Sequence, residues 1–182
     1  LGLAGTEEMY FATAHLGAEG GIMVTASHNP RDYNGMKLVG AGAVPLTDAA
    51  FAQVQALTPD APDRLPGGGV EDASAVRAAY VAHVARLVGP IGPVRVLVNA
   101  GNGAAGPTLD ALAEGLAARG ARLDLVRMHH EPDGSFPNGV PKPLLPEIRP
   151  MTEAPVSAAG VDMGVAVDGD FDRCFLVDGA GR

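Results

Sequence analysis

The chain has 182 residues, 47% of them apolar and 4% aromatic, which is typical of an ordinary α/β protein with one large or two small domains and excludes a disordered or fibrous class. Its formal net charge of −8 gives a surface that repels polyphosphates and anionic lipids, so we expect neither a nucleic-acid nor a membrane partner. No apolar run is long enough for a membrane span, and the one cysteine, Cys174, has no partner for an internal disulfide, so we expect a cytoplasmic protein.

Two short strands flank a loop near the start of the chain. Residues 22–25 and 36–39 are mostly apolar and partly β-branched, which predicts strands. The residues between them, 28–35, are rich in turn formers. Ser27 is therefore predicted on a loop just after a strand end.

Two helices and a linker complete the first half. Thr47 can cap a helix that continues through Leu57 until Pro59. Residues 58–69 contain three prolines and three glycines, which indicates a surface connection. The next helix places four residues on one face at helical spacing, namely Val76, Tyr80, Val84 and Leu87. It ends at a Gly-Pro pair, where we predict the boundary between two domains, 1–90 and 91–182.

The second half alternates strands and helices. The predicted elements are a strand at 94–98, a helix at 108–119, a strand at 123–126, a short helix at 155–159 and a strand at 163–167. A strand, a helix and a strand in this order form a parallel βαβ unit, because the crossover helix returns the chain to the same end of the sheet. Ligands of open α/β sheets bind at the carboxyl ends of the strands, so the loop after the last strand is a candidate site.

Three aspartates, Asp168, Asp170 and Asp172, follow that strand at alternate positions. Crowded carboxylates repel one another unless a cation binds between them, which indicates a hard cation with oxygen ligands. We expect Mg²⁺, with a phosphate completing its coordination. A calcium loop of the EF-hand type would need a glycine and a glutamate where this chain has Arg173 and Gly179. A solvated acidic turn stays open as the alternative. For Arg173, two roles stay open: binding phosphate oxygens or balancing the charge of the aspartates.

Ser27 lies beside His28, a pair that could act as nucleophile and base in a hydrolase. The glycines of the nucleophile elbow are absent, since Thr25 and Asn29 stand in their places, and adjacent side chains rarely form the required hydrogen bond. A phosphoserine fits better, because its negative charge and three acceptor oxygens would meet the expected cation. Without the acidic loop, a turn with no chemistry would be the preferred interpretation.

Lys37 lies on the strand after the serine loop. From there it could reach back to the loop and donate a proton to a sugar hydroxyl, or accept one. A strand lysine is most often a solvated surface residue, so this role depends on the resemblance given below. The candidate catalytic residues are Ser27, His28, Lys37 and Arg173.

A third loop, 101–106, has the pattern Gly-x-Gly-x-x-Gly between a predicted strand and a helix, as dinucleotide-binding sites do. Such a site also needs an acidic residue at the end of the second strand, but Asp124 lies inside that strand and Arg127 ends it. A tight strand-to-helix turn is therefore preferred over a dinucleotide site. The adjacent His129 and His130 are interpreted as loop residues, because neighbouring side chains point apart.

The serine loop and the acidic loop together carry a resemblance to a known family. With Thr25-Ala26-Ser27-His28-Asn29-Pro30 and Asp168-Gly169-Asp170-Phe171-Asp172-Arg173, the chain resembles the α-D-phosphohexomutase superfamily, and within it the bacterial phosphomannomutases. Segments that look like this family extend over essentially the whole chain, at 5–13, 32–38, 102–107 and 132–139.

The resemblance implies a fold and a set of site residues. The fold is a fragment of a four-domain enzyme, made of two α/β domains with mixed or parallel sheets. The site has a phosphoserine at Ser27, with Lys37 and Arg173 assisting transfer. The metal is Mg²⁺, held by a phosphoserine oxygen and by Asp168, Asp170 and Asp172.

The resemblance also implies a reaction, which interconverts mannose 6-phosphate and mannose 1-phosphate through a hexose 1,6-bisphosphate. Two alternatives stay open, namely a phosphoglucomutase of the same superfamily and a catalytically inactive fragment that binds metal or phosphosugar. The chain begins without a methionine and ends just after a further strand-like segment, so both ends look cut. The resemblance implies two further domains, one that recognises the sugar and one that binds its phosphate, so we expect negligible turnover by these 182 residues alone.

Overall fold

Two sheets with their helices make up the protein, seen here in a computed structural model that describes residues 1–59 and 67–182. The first sheet has two strands and the second has four. The linker predicted at 58–69 lies largely outside the described residues, so it stays a prediction.

A hairpin and two helices form the first part. In chain order the elements are helix α1 (Thr6–His15), strand β1 (Gly20–Val24), strand β2 (Met36–Gly40), a short 3₁₀ turn (Ala41–Ala43) and helix α2 (Asp48–Leu57). The two strands are antiparallel, with Val24 opposite Met36, so the loop at 25–35 closes the hairpin. Both predicted strands are confirmed, and Ser27 lies on this loop.

The sequence pattern does not predict helix α1, although it proves central to the site. Its buried residues are Thr6, Glu8, Met9, Ala12 and Thr13. Polar and apolar side chains share this buried face, so the apolar periodicity that identifies an amphipathic helix is weak here.

Helix α2 begins as predicted. The Thr47 hydroxyl accepts a hydrogen bond from the Ala50 amide at 3.2 Å, which caps the helix. Phe51, Val54 and Leu57 are nevertheless exposed, so α2 buries no side chain against the described residues.

Seven elements form the second part. They are helix α3 (Val76–Leu87), strand β3 (Val94–Asn99), helix α4 (Ala105–Ala117), strand β4 (Leu123–Met128), helix α5 (Pro150–Ala159), strand β5 (Met163–Val167) and strand β6 (Cys174–Asp178). The strand order is β4-β3-β5-β6, in which β3 is parallel to β4 and β5 while β6 is antiparallel to β5. The predicted βαβ unit and the mixed α/β class are confirmed.

The core of this part lies on both faces of the sheet. Leu97, Val156 and Val161 are buried together on the side of α5. A second cluster joins Ala105 at the start of α4 to the carboxyl ends of β3 and β5. Burial of these apolar side chains fixes the strand ends from which the site loops emerge.

Two helices begin earlier than the sequence predicts. Helix α4 begins at Ala105, not 108, so the glycine loop leads directly into its first turn. Helix α5 begins at Pro150, where a missing amide hydrogen costs nothing because first-turn amides have no partner within the helix. Since α5 continues through Pro155, the prediction of a helix start at that proline is wrong.

The buried face of α3 also differs from the predicted one. Val81 and Ala85 are buried, whereas Leu87 is 73% exposed. Helix α3 packs against both α1 and α4, and this placement turns a different face inward. Because α3 contacts both parts of the molecule, it joins them; the domain boundary at residue 90 stays a prediction.

The topology brings three loops to one edge of the second sheet. Strands β3 and β5 are parallel neighbours, so the loops after them, 101–106 and 168–173, emerge side by side. The hairpin loop of the first part lies against the second of these loops. Among the described helices, none is long and apolar enough to cross a membrane.

Candidate active site

The aspartate loop gathers its three carboxylates at the end of β5. One oxygen from each of Asp168, Asp170 and Asp172 lies within 4.8 Å of the others. Asp168 and Asp170 are 1% and 2% exposed, whereas Asp172 faces solvent. A solvated acidic turn would not bury two of its carboxylates, so this alternative does not fit the structure.

The aspartate loop curls at Phe171 and not at Gly169. Phe171 has a φ of 47° and its amide donates to the Asp168 carbonyl at 3.0 Å. A glycine is required at position 169 for a different reason, because a Cβ there would overlap the carbonyl oxygen of Ser27. The glycine thus permits the serine loop and the aspartate loop to touch.

Ser27 lies within hydrogen-bond distance of the aspartate loop. Its backbone is left-handed, with a φ of 56°, and its amide donates to the Thr25 hydroxyl at 2.8 Å. The Ser27 hydroxyl donates to Asp168 Oδ2 at 2.8 Å, across 141 positions of sequence. The two loops therefore share one site, as the expected chemistry requires.

Two cations neutralise part of the carboxylate charge. Lys37 Nζ lies 2.7 Å from Asp170 Oδ2 and 2.6 Å from Asp172 Oδ2. Arg173 pairs with Asp168, and its Nη2 also donates to the Ser27 hydroxyl at 2.8 Å. The guanidinium thus contacts both the Ser27 hydroxyl and the buried Asp168 carboxylate.

These contacts shift the pKa values of the charged groups. Burial alone lowers the pKa of Lys37, but hydrogen bonds to Asp170 and Asp172 outweigh it and raise that pKa above its ordinary value. Burial alone raises the pKa of Asp170, but hydrogen bonds from Lys37 and Thr6 outweigh it and lower that pKa. Lys37 therefore carries a proton and Asp170 does not.

His28 contacts the serine directly, contrary to our expectation for adjacent side chains. Its Nδ1 lies 3.2 Å from Ser27 Oγ and 3.1 Å from Arg173 Nη2. Burial and the positive charges of Lys142 and Arg173 lower the pKa of His28. The ring is therefore neutral near pH 7, and its nitrogen can accept a hydrogen bond.

The carboxylate cluster fits a hard divalent cation. Asp170 Oδ1 is buried and has no hydrogen-bond partner among the described residues. A buried carboxylate oxygen without a donor is costly, and a cation would satisfy it. Every candidate ligand atom is an oxygen, which matches the preference of Mg²⁺.

The glycine loop supports the aspartate loop. A Cβ at Gly103 would overlap the backbone of Gly169, and the Ala104 amide donates to the Gly169 carbonyl at 2.8 Å. Protein backbone thus fills part of the position that a pyrophosphate would need, which agrees with the preferred interpretation of a tight turn. The nearby His129 and His130 bond to Asn99 and Asp110 respectively, and not to the three aspartates of the aspartate loop.

Thr6 belongs to the site and was not found from the sequence. Its hydroxyl donates to Asp170 Oδ2 at 2.9 Å and accepts from Lys37 Nζ at 3.2 Å. Thr6 and Asp170 are 164 positions apart, and helix α1 itself was not predicted. The only sequence signal is that Thr6 falls in a segment, 5–13, that resembles the family.

The comparisons with known proteins cover the same two parts. Residues 1–63 match the family described as phosphoglucomutase/phosphomannomutase, alpha/beta/alpha domain I, and residues 78–181 match domain II of that family. The phosphomannomutase of Salmonella montevideo is 50% identical over 192 residues, covering 100% of this chain and 41% of the relative. A protein of Xanthomonas campestris pv. campestris named phosphohexose mutases is 47% identical over 186 residues, covering 100% of this chain and 40% of the relative.

A solved structure agrees with these relatives. The crystal structure of a phosphoglucomutase/phosphomannomutase family protein from Burkholderia thailandensis has a TM-score of 0.83 at 33% identity, covering 98% of this chain and 39% of that one. The chain thus spans about two fifths of the length of the curated relatives it matches. Since domains I and II of one family together match nearly all of its residues, the chain belongs to the phosphoglucomutase/phosphomannomutase family.

Proposed function

We propose that the chain carries the phosphoryl-transfer centre of a phosphohexomutase that interconverts mannose 6-phosphate and mannose 1-phosphate. The observation that carries this proposal is the Ser27 hydroxyl, 2.8 Å from the buried Asp168 carboxylate and 2.8 Å from Arg173 Nη2. Mannose is favoured because curated relatives at 50% and 47% identity are named phosphomannomutase.

Asp168, Asp170, Asp172 and an oxygen on Ser27 would hold Mg²⁺, which when bound supplies positive charge to the phosphoryl oxygens. Arg173 also contributes positive charge to the phosphoryl oxygens, because its guanidinium contacts Ser27 Oγ. Phosphoryl transfer depends on alignment and charge neutralisation more than on covalent assistance, and these side chains supply both.

The proposed transfer starts from phosphoserine at Ser27. The bond between phosphorus and Ser27 Oγ breaks and a bond between phosphorus and a sugar hydroxyl oxygen forms. The freed Ser27 oxygen takes a proton from Lys37, and Lys37 takes up the proton of the sugar hydroxyl. The bisphosphate then returns its other phosphoryl group to Ser27. Lys37, protonated in this arrangement, can donate a proton to an oxygen that loses phosphorus, while the neutral His28 ring can accept one from Ser27.

Intact-mass spectrometry tests the phosphoserine. The product of the complete reading frame should gain one phosphoryl group on incubation with glucose 1,6-bisphosphate and Mg²⁺, and Ser27→Ala should gain none. If the unmodified protein takes up no phosphoryl group, it is a binding module and not a mutase. Uptake by Ser27→Ala would place the phosphoryl group elsewhere.

A phosphoglucomutase is the second candidate, because the matched family includes both activities and the Xanthomonas relative is named only for hexoses. The ratio of kcat/KM for mannose 1-phosphate and glucose 1-phosphate, measured on the same complete protein, separates the two. A ratio above one supports the mannose assignment, and a ratio below one overturns it.

A further inference from the structure

Glu8 is a buried carboxylate outside the metal cluster, and it ties three helices together. It is 4% exposed and lies in the first turn of α1. Its Oε2 accepts from the Gly5 amide at 2.8 Å and from the Thr108 hydroxyl of α4 at 2.9 Å. Its Oε1 accepts from Arg77 Nε of α3 at 2.8 Å. Both carboxylate oxygens of Glu8 therefore accept hydrogen bonds, Oε2 from α4 and the start of α1, and Oε1 from α3.

The turn that Glu8 holds is also the turn that contacts the aspartate loop. Thr6 is fully buried, and its amide donates to the Asp170 carbonyl at 3.3 Å while its hydroxyl donates to Asp170 Oδ2 at 2.9 Å. Next to it, Gly5 lies so close to the Phe171 ring that a Cβ would overlap the ring. The first turn of α1 thus contacts the backbone and the side chain of Asp170.

We propose that Glu8 is a positioning residue for the cation site and acts through Thr6; this inference rests on the metal-binding function proposed above. Thr6 and Lys37 both contact Oδ2 of Asp170, which leaves Oδ1 without a partner in the part of the chain that the structure describes. The direction in which Oδ1 points depends on where the Thr6 hydroxyl lies. The position of the Thr6 hydroxyl depends in turn on Glu8, because the hydrogen bonds of Glu8 hold the first turn of α1 against α3 and α4.

The chemistry requires a carboxylate at position 8 and not an amide. Arg77, Gly5 and Thr108 all donate to Glu8, so both of its oxygens must accept. A glutamine has the same shape but only one acceptor oxygen, so its NH₂ group would face either Arg77 or Gly5. Glu8→Gln would therefore remove one of these hydrogen bonds, and because the side chain keeps its shape it would leave no cavity.

The test is the Mn²⁺ affinity of the 182-residue chain, which is measured from the EPR signal of free Mn²⁺. Glu8→Gln should weaken Mn²⁺ binding about ten-fold, the effect typical of residues that orient metal ligands. Glu7→Gln is the matched control, since it makes the same change at the exposed neighbouring position of α1 and should leave the affinity unchanged. Circular dichroism establishes that each variant is folded.

A double-mutant cycle tests the route through Thr6. Thr6→Val removes the hydroxyl and should weaken Mn²⁺ binding by a similar factor, whereas Thr6→Ser should restore it. If Glu8 acts through Thr6, the double variant Glu8→Gln/Thr6→Val binds no more weakly than Thr6→Val alone. Additive losses would overturn the inference, as would an unchanged affinity in folded Glu8→Gln.

The outcomes separate this inference from the proposed function. If the unmodified chain binds no Mn²⁺, or if Asp168→Asn binds it equally well, the metal site itself is refuted. If binding depends on Asp168 but not on Glu8, only the positioning role fails. Should Glu8→Gln not fold, Thr108→Val decides, because it removes only the tie to α4; weaker binding supports the role and unchanged binding overturns it.

Discussion

Gly169 lies against the carbonyl oxygen of Ser27, so the contact between the two site loops depends on the absence of a side chain. Gly169 has no positive φ, which means that the close approach and not the backbone conformation requires glycine. A single methyl group would have to push the serine loop away from the carboxylates.

Gly169→Ala should therefore slow phosphoryl uptake at Ser27 by about 100-fold, because a displacement of about 1 Å has that effect on transfer. Overpacking should also lower the free energy of unfolding by about 1–3 kcal/mol. Uptake rates by intact mass and urea unfolding measure the two effects.

Gly134→Ala is the control for this substitution. Gly134 is exposed, has no positive φ and has no atom near its missing Cβ, so the same change should alter neither quantity. Equal uptake rates in the two alanine variants would show that contact between the loops is not needed.

At the scale of elements, Asp110 links helix α4 to the end of strand β4. It accepts from Arg127 Nε at 2.8 Å and pairs with His130 Nε2 at 2.9 Å. Burial alone raises the pKa of Asp110, but the hydrogen bonds from His130 and Arg127 outweigh it and lower that pKa. A carboxyl group with a lowered pKa stabilises the fold above its unfolded pKa of about 3.9, and the stabilisation is lost as pH falls through the folded pKa.

Asp110→Asn should therefore melt at a lower temperature than the unmodified chain at pH 6, and the difference should shrink as the pH falls below about 4. Thermal unfolding over this pH range measures it. Glu19→Gln, an exposed position outside the ion pairs of the described residues, should show no such pH-dependent difference. A constant gap between Asp110→Asn and the unmodified chain at every pH would contradict the electrostatic account.

Within the site, the serine loop and the aspartate loop were the parts most predictable from sequence. Ser27 and Asp168 each follow a strand whose apolar pattern is clear, so both loops could be placed at strand ends. Helix α1 was missed because Thr6 and Glu8 are polar yet buried. Their burial depends on partners 164 and 100 positions away, and local periodicity carries no information about such partners.

At the scale of the whole molecule, the chain matches two domains of its family and spans about two fifths of its curated relatives. We expect the 182-residue chain alone to convert mannose 1-phosphate negligibly, because the resemblance implies that two further domains contact the sugar and its phosphate. A coupled assay comparing it with the product of the complete reading frame measures this. Comparable turnover by the two proteins would refute it.

The hydrogen bond between Ser27 and Asp168 spans 141 positions of sequence, so an unfolded chain does not bring Ser27 to the three carboxylates of the cation site. Anything that binds only the native state shifts the unfolding equilibrium, by about 2.7 kcal/mol at one hundred times its dissociation constant. Adding Mg²⁺ should therefore raise the melting temperature of the unmodified chain in a dose-dependent way and leave that of Asp168→Asn unchanged. The melting temperature thus reports how much of the protein has bound the cation, and the measurement needs no substrate.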